Sequence, residues 1–161
     1  MTQEEKELLV KDLCARQLYG VKLYVDGNVK TLLNIEQDVD RFNQHKIYYT
    51  VDFIDDYGNF NFCSINEIKP YLRQLSSMTE EERKDFEKAA RKDIDIALNE
   101  VNRQHKSKLD QYAPLLLAYN KFDWLNAHHF DYRGLIQIGL ALEAPKDMYN
   151  KNTKDYGSDN N

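Results

Sequence analysis

Two adjacent histidines, His128 and His129, stand with Asp131 in a run that also holds Trp124, Tyr132 and Arg133. Imidazole and carboxylate groups are ligands of zinc and iron, and a chain turning at this point could bring His128 and Asp131 together. A metal-dependent enzyme built on His128, His129 and Asp131 is one reading. The spacing lacks the i, i+4 histidine pair and intervening glutamate of a zinc-protease helix, and further ligands would have to come from His45 or His105. The competing reading is structural: a helix C-terminus favours histidine through its dipole, while Trp124, Phe130 and Tyr132 close a core. Asp55 and Asp56 read as a solvated hairpin turn in preference to an acid-base pair. The sequence contains no glycine-rich phosphate loop, dinucleotide fingerprint, nucleophile elbow or zinc-finger spacing, so no catalytic residue, metal or cofactor is assigned.

Tyrosine is the compositional outlier, at 11 of 161 residues, and its placement raises a second kind of site. Tyr48, Tyr49 and Tyr57 lie close to Phe53, Phe60 and Phe62, so a sheet built here carries aromatic rings on both faces. One face must be core. The other is either a contact surface, where rings supply large area at low entropic cost, or is covered by the N-terminal helix and a long C-terminal one. These three tyrosines, with Trp124, His128, His129, Tyr132 and Arg133, are the candidate binding residues.

The elements that must position them follow from patterning. Thr2 and Glu5 have the spacing of a capping box, so a helix starts there, and Leu8, Leu9, Asp12, Leu13 and Arg16 follow at intervals of one, three and four. Leu8, Leu9, Leu13 and Cys14 form its apolar stripe, and Gly20 ends it. From residue 21 the period becomes two, with residues 26–28 as a tight turn and the strand resuming over 29–35. Residues 47–54 are the richest β-forming run, and residues 55–59 turn it into a strand over 60–65. A small, curled antiparallel sheet, an SH3-like partial barrel, is predicted over about 20–72. Thr79 and Glu82 make a second capping box. Helical spacing then continues to Tyr112, about 50 Å at 1.5 Å per residue, so the helix either breaks near residues 99–107 or projects and pairs with another chain. Pro114 is expected to begin a new helix ending near His128, and Asp131 to cap a short one over 132–138. Residues 1–149 thus read as a single α+β domain, its helical part about 79–142, with a disordered polar tail over 150–161.

Bulk properties exclude several classes. The apolar runs fall far short of the roughly 20 residues a spanning helix needs, and the acidic N-terminus does not resemble a signal peptide, so a cytoplasmic location is expected. Residues 1–78 carry 9 basic and 12 acidic groups and residues 79–161 carry 13 and 15, a mixed balance with no basic stripe, which disfavours nonspecific nucleic-acid binding. Cys14 and Cys63 lack a paired spacing and are expected to be reduced, buried thiols.

Three stretches together resemble a widespread group of small proteins of gut anaerobes and their prophages. They are residues 1–22, residues 68–79, with Lys69, Pro70 and Tyr71, and residues 123–142, with Trp124, His128, His129, Arg133 and Gly134. That group has no established activity, so the resemblance implies context alone: a phage or mobile-element accessory protein acting in a bacterial cytoplasm. Residues 87–119 are longer here than in shorter relatives. The expected function is non-catalytic binding of a host protein, with inhibition of a defence system as one form. The alternatives are a sponge for a nucleotide-like signal, with tyrosines stacking on a base, and the metal enzyme above. Self-association through the long helix stays open.

Overall fold

The computed structural model describes residues 1–39, 47–55, 57–100 and 106–149, and leaves aside the side chains of 93–100 and 106–111. Helix α1 spans Gln3–Arg16 and begins as the sequence predicts: Thr2 Oγ1 accepts from the Glu5 amide at 3.2 Å, and Glu5 Oε2 accepts from the Thr2 amide at 2.7 Å. A single 3₁₀ turn, Gln17–Tyr19, carries it to Gly20, whose φ of 65° makes the left-handed exit. The two-residue turn Asp26-Gly27, with φ of 45° and 81°, joins β1 (Lys22–Val25) to β2 (Asn28–Val39). Positive φ at both positions matches the strands' twist. Strands β3 (Ile47–Ile54) and β4 (Phe60–Ser64) form the second hairpin, and β5 (Ile68–Leu72) returns beside β1.

The sheet is neither closed nor curled. Its order is β4-β3-β2-β1-β5-β6, and β6 (Leu142–Glu143) pairs parallel with β5, so the sheet is mixed and open where a partial barrel was expected. Residues 132–138 form turns, not the expected helix, although Asp131 does accept from the Leu135 and Ile136 amides at 2.9 and 2.8 Å. That turn feeds Leu135, Leu140 and Ala141 into the core alongside Leu9, Leu13, Leu23, Val51, Phe53 and Leu72. A strand of two residues has no readable period, which is why β6 escapes the sequence.

Of the two outcomes open for the helix from Thr79, the break near residues 99–107 is the one observed. Helix α2 spans Glu80–Glu100, opened by the Thr79 and Glu82 capping box, and α3 spans Lys106–Ala127. Phe86 meets Trp124 edge-on at 5.3 Å, and Asn120 Nδ2 donates to the Ala90 carbonyl at 3.3 Å, so the pairing runs in opposite senses and the helices are antiparallel. Pro114 lies inside α3 and does not start it. The missing amide costs one helical bond, but Pro114 is exposed, where water can serve the freed carbonyl. The expected polar tail lies outside the described residues. Among the described residues, no helix is long and apolar enough to cross a membrane.

Candidate functional site

The histidine cluster does not converge. At the C-terminus of α3, His128 Nδ1 sits 2.9 Å from the Trp124 carbonyl, and its ring stacks on Trp124 at 3.8 Å. His129 takes a φ of 59°, is 4% exposed and stacks on Tyr149 at 3.8 Å. Burial first, then the neighbouring Arg16, His128 and Arg73, push its ring down to about 3, so it stays neutral, with Nδ1 buried and unpartnered. Both Asp131 oxygens are committed to backbone amides. The three side chains thus serve three separate structural contacts, and the metal-centre geometry is not formed; no group of three metal-ligating side chains gathers among the described residues. His45 and His105 lie outside the described residues. Trp124 and Phe130 close a second core with Leu125, as the structural reading expects.

A buried ionic network, unassigned from sequence, anchors this region. Asp12 and Arg16 are fully buried and joined by two bonds, Nε to Oδ2 at 2.7 Å and a terminal guanidinium nitrogen to Oδ1 at 3.1 Å. Arg16 also donates to the Phe130 carbonyl at 2.8 Å, tying α1 to the segment after α3. Arg133 Nε lies 3.2 Å from Asp12 Oδ1 but off hydrogen-bond alignment, so that contact is ionic only. Tyr132 hydrogen-bonds Asn126 and meets the Phe122 ring at a tilt of 41°. The signal was present: Asp12 and Arg16 fall on the Leu9 and Leu13 face at i, i+4 spacing. Cys14, one position past Leu13, turns outward and is exposed, contrary to the expected buried thiol, while Cys63 is half-buried; both are free.

A cavity of about 550 Å³ lies beside β5 and α2, lined by Arg73, Glu82, Glu143, Lys146, Asp147 and Tyr149 among others. Arg73 grips Glu82 through two bonds of 2.7 and 3.0 Å, which, with the Thr79 amide, hold the Glu82 carboxyl down to about 2. With Glu81 the lining carries four carboxylates against two cations, the wrong sign for a phosphate-bearing ligand.

The sheet resolves the tyrosines. Tyr49 shares parity with Val51 and Phe53 and is 8% exposed, a core residue and not part of a contact surface. Tyr48 points to the opposite face and is exposed. Cross-strand partners share a face, so Tyr48, Asp52, Ile54, Phe60 and Phe62 lie together on it. That face is uncovered: Phe60 is 80% and Phe62 76% exposed, and Tyr57 at the turn is 90% exposed. Of the two alternatives for this face, helical cover is absent at this end, where α2 and α3 pack on each other. The turn is fixed by Asp55, whose Oδ1 accepts from the Tyr57 and Asn59 amides at 2.9 and 2.8 Å. Its Oδ2 accepts from the Asn61 amide side chain at 3.0 Å. Those bonds lower the Asp55 pKa and confirm its turn role; Asp56 lies outside the described residues. Phe60 and Phe62, the largest exposed rings on the strand, were legible through their i, i+2 spacing.

Charge is polarised, contrary to the balance by halves. Residues 34–67 hold 2 basic and 7 acidic groups, a net of −5, which equals the net charge of the whole chain. The described residues of that segment include the carboxylates Glu36, Asp38, Asp52, Asp55 and Glu67. A second exposed stripe, Tyr112, Leu115, Tyr119 and Phe122, runs along α3 at alternating three- and four-residue spacing. Comparison with protein-family models, curated proteins and solved structures finds no match.

Proposed function

We propose that this chain is a non-catalytic binding protein that engages a protein partner through the open face and edge of its β3–β4 hairpin. The observation that carries the reading is the exposure together of Tyr57, Phe60 and Phe62 on a hairpin whose turn is fixed by Asp55. A monomer gains nothing by exposing such rings together, whereas a preordered aromatic patch binds at reduced entropic cost. The resemblance to proteins of gut anaerobes and their prophages supplies the setting: a phage or mobile-element accessory protein in a bacterial cytoplasm, with a host protein as partner and inhibition of a defence system as its effect. The acidic cavity argues against the nucleotide sponge. The α3 stripe supports self-association as a second contact of the same protein, since its spacing is that of paired helices.

The test is capture from lysate of a gut anaerobe by the wild-type chain and by the double variant Phe60→Ser, Phe62→Ser. Both rings are largely exposed, so the variant is expected to melt within about 2 °C of wild type. A host protein held by wild type and reduced at least about tenfold with the variant supports the reading. Equal capture by both chains refutes it.

A further inference from the structure

The backbone and charge around the proposed contact surface bear on what kind of partner it fits. The Asp55 amide donates to the Asn59 carbonyl at 3.0 Å, and bonded pairs recur at every second position of an antiparallel ladder. Asn61 and Cys63 therefore bond across to Phe53 and Val51, their partners in register. Phe60, Phe62 and Ser64 turn their own amides and carbonyls away from β3. The Ser64 amide is taken by Glu67 Oε2 at 2.8 Å, which agrees with that phase. Phe60 and Phe62 are thus left with outward backbone groups on an edge strand. Edges are ordinarily blunted by charge, proline, bulges or a covering element. The strand Phe60–Ser64 carries no charge and no proline, and its pairing with β3 is regular. The opposite edge, β6, is two residues long.

Charge selects among the occupants such an edge could take. A second copy paired edge to edge would bring Asp52, Asp55 and Glu67 of one chain toward the same carboxylates of the other, at a separation where like charges repel. A neutral or basic strand meets no such penalty, and a basic one gains from Asp52, which lies directly across from Phe62, and from Glu36 and Asp38 further along the same face. We infer that β4 is a β-augmentation site for an extended partner segment in which lysine or arginine alternates with apolar residues. Its main chain pairs with Phe60 and Phe62; on their face its lysine or arginine stems lie over the rings with the cations toward Asp52, and its apolar side chains extend the opposite face beside Cys63. The inference rests on the proposed role of the hairpin as the contact surface.

The experiment uses the full chain, isotopically labelled, with two seven-residue peptides as probes, one alternating lysine with valine and one alternating glutamate with valine. Amide exchange at Phe60 and Phe62 and the affinity of each peptide are measured at low and high salt. The lysine peptide is expected to slow exchange at both amides and to bind at least about tenfold tighter than the glutamate peptide, the ratio shrinking toward one as salt rises from about 0.05 to 0.5 M. Equal protection by both peptides overturns the basic preference and leaves the hairpin reading standing. Protection that grows with protein concentration in the absence of peptide identifies a second copy as the occupant and overturns the inference. Failure of every peptide to protect these amides also overturns it, and lysate capture that is still lost with Phe60→Ser, Phe62→Ser would then show that the rings bind without strand addition.

Discussion

Arg16→Met tests how the two halves of the molecule are held together. Arg16 neutralises Asp12 through bonds of 2.7 and 3.1 Å at a site where both side chains are wholly buried. Its remaining bonds matter less: the Phe130 carbonyl also accepts from the Tyr132 amide at 3.1 Å, and the Leu125 carbonyl from the Phe130 amide at 2.9 Å. Removing the guanidinium therefore costs chiefly through the stranded Asp12 carboxylate. Breaking such a pair costs about 3–5 kcal/mol, and Arg133, 3.2 Å from Asp12 Oδ1, places this case at the lower end, about 3 kcal/mol. For a chain of this size that is a fall in Tm of about 6–12 °C. Urea unfolding followed by Trp124, the single tryptophan and a buried one, reads the loss as a lower midpoint at unchanged slope. Adding Asp12→Leu should then recover most of the stability, because removing both charges removes the desolvation cost with the attraction. An Arg16→Met chain within about 1 kcal/mol of wild type would refute the argument, as would a double variant no more stable than the single one.

Two further substitutions probe the C-terminal segment. The Tyr149 hydroxyl accepts from the Lys22 amide at 3.0 Å and donates to the Tyr71 carbonyl at 2.7 Å, bridging β1 and β5 beyond the Leu23 and Pro70 pair. Tyr149→Phe is expected to cost about 1–3 kcal/mol and to speed exchange of the Lys22 amide, and unchanged exchange there would deny the bridge. His129 is depressed to about 3, so the unfolded chain takes up a proton near pH 6.5 that the folded chain refuses. Stability therefore falls as pH drops from about 6.5 toward 3, by about 2 kcal/mol by pH 4.5. His129→Asn, which tolerates the positive φ, should flatten that limb between pH 6.5 and 4.5 in a Tm series; an unchanged slope assigns it to other groups.

What was legible in the sequence is what local chemistry dictates. The capping boxes at Thr2 and Thr79 need residues three apart, and the Asp26-Gly27 turn needs two left-handed positions, so each is specified within a few residues. Strand parity was equally available, and carried through β3 and β4 it separates Tyr49 from Tyr48 and puts Phe60 and Phe62 on the open face. Strand order was not, since β5 joins β1 and β6 joins β5 through contacts far apart in the chain. Nor was the fate of His128, His129 and Asp131, whose crowding in sequence resembled ligation until the rings were seen to stack and the carboxylate to cap. Tyr149 was invisible for a related reason: its role depends on Lys22, 127 residues away.

The acidic end and the bare edge explain each other. An uncharged aromatic edge strand is ordinarily an aggregation hazard, because any second copy offers a matching row of amides and carbonyls. Natural edges often place a charge on the strand itself, which would also repel or distort a true partner's backbone. Here the strand Phe60–Ser64 stays neutral, while Glu36, Asp38, Asp52, Asp55 and Glu67 lie around it. Carboxylates so placed repel another copy bearing the same −5 segment, yet leave the Phe60 and Phe62 backbone free for a partner of opposite sign. The same groups thus protect the fold and select the ligand. Replacing Asp52 and Glu36 by their amides should therefore weaken the discrimination against the glutamate peptide and, at the same protein concentration, increase self-association. Movement of one without the other would separate the two roles.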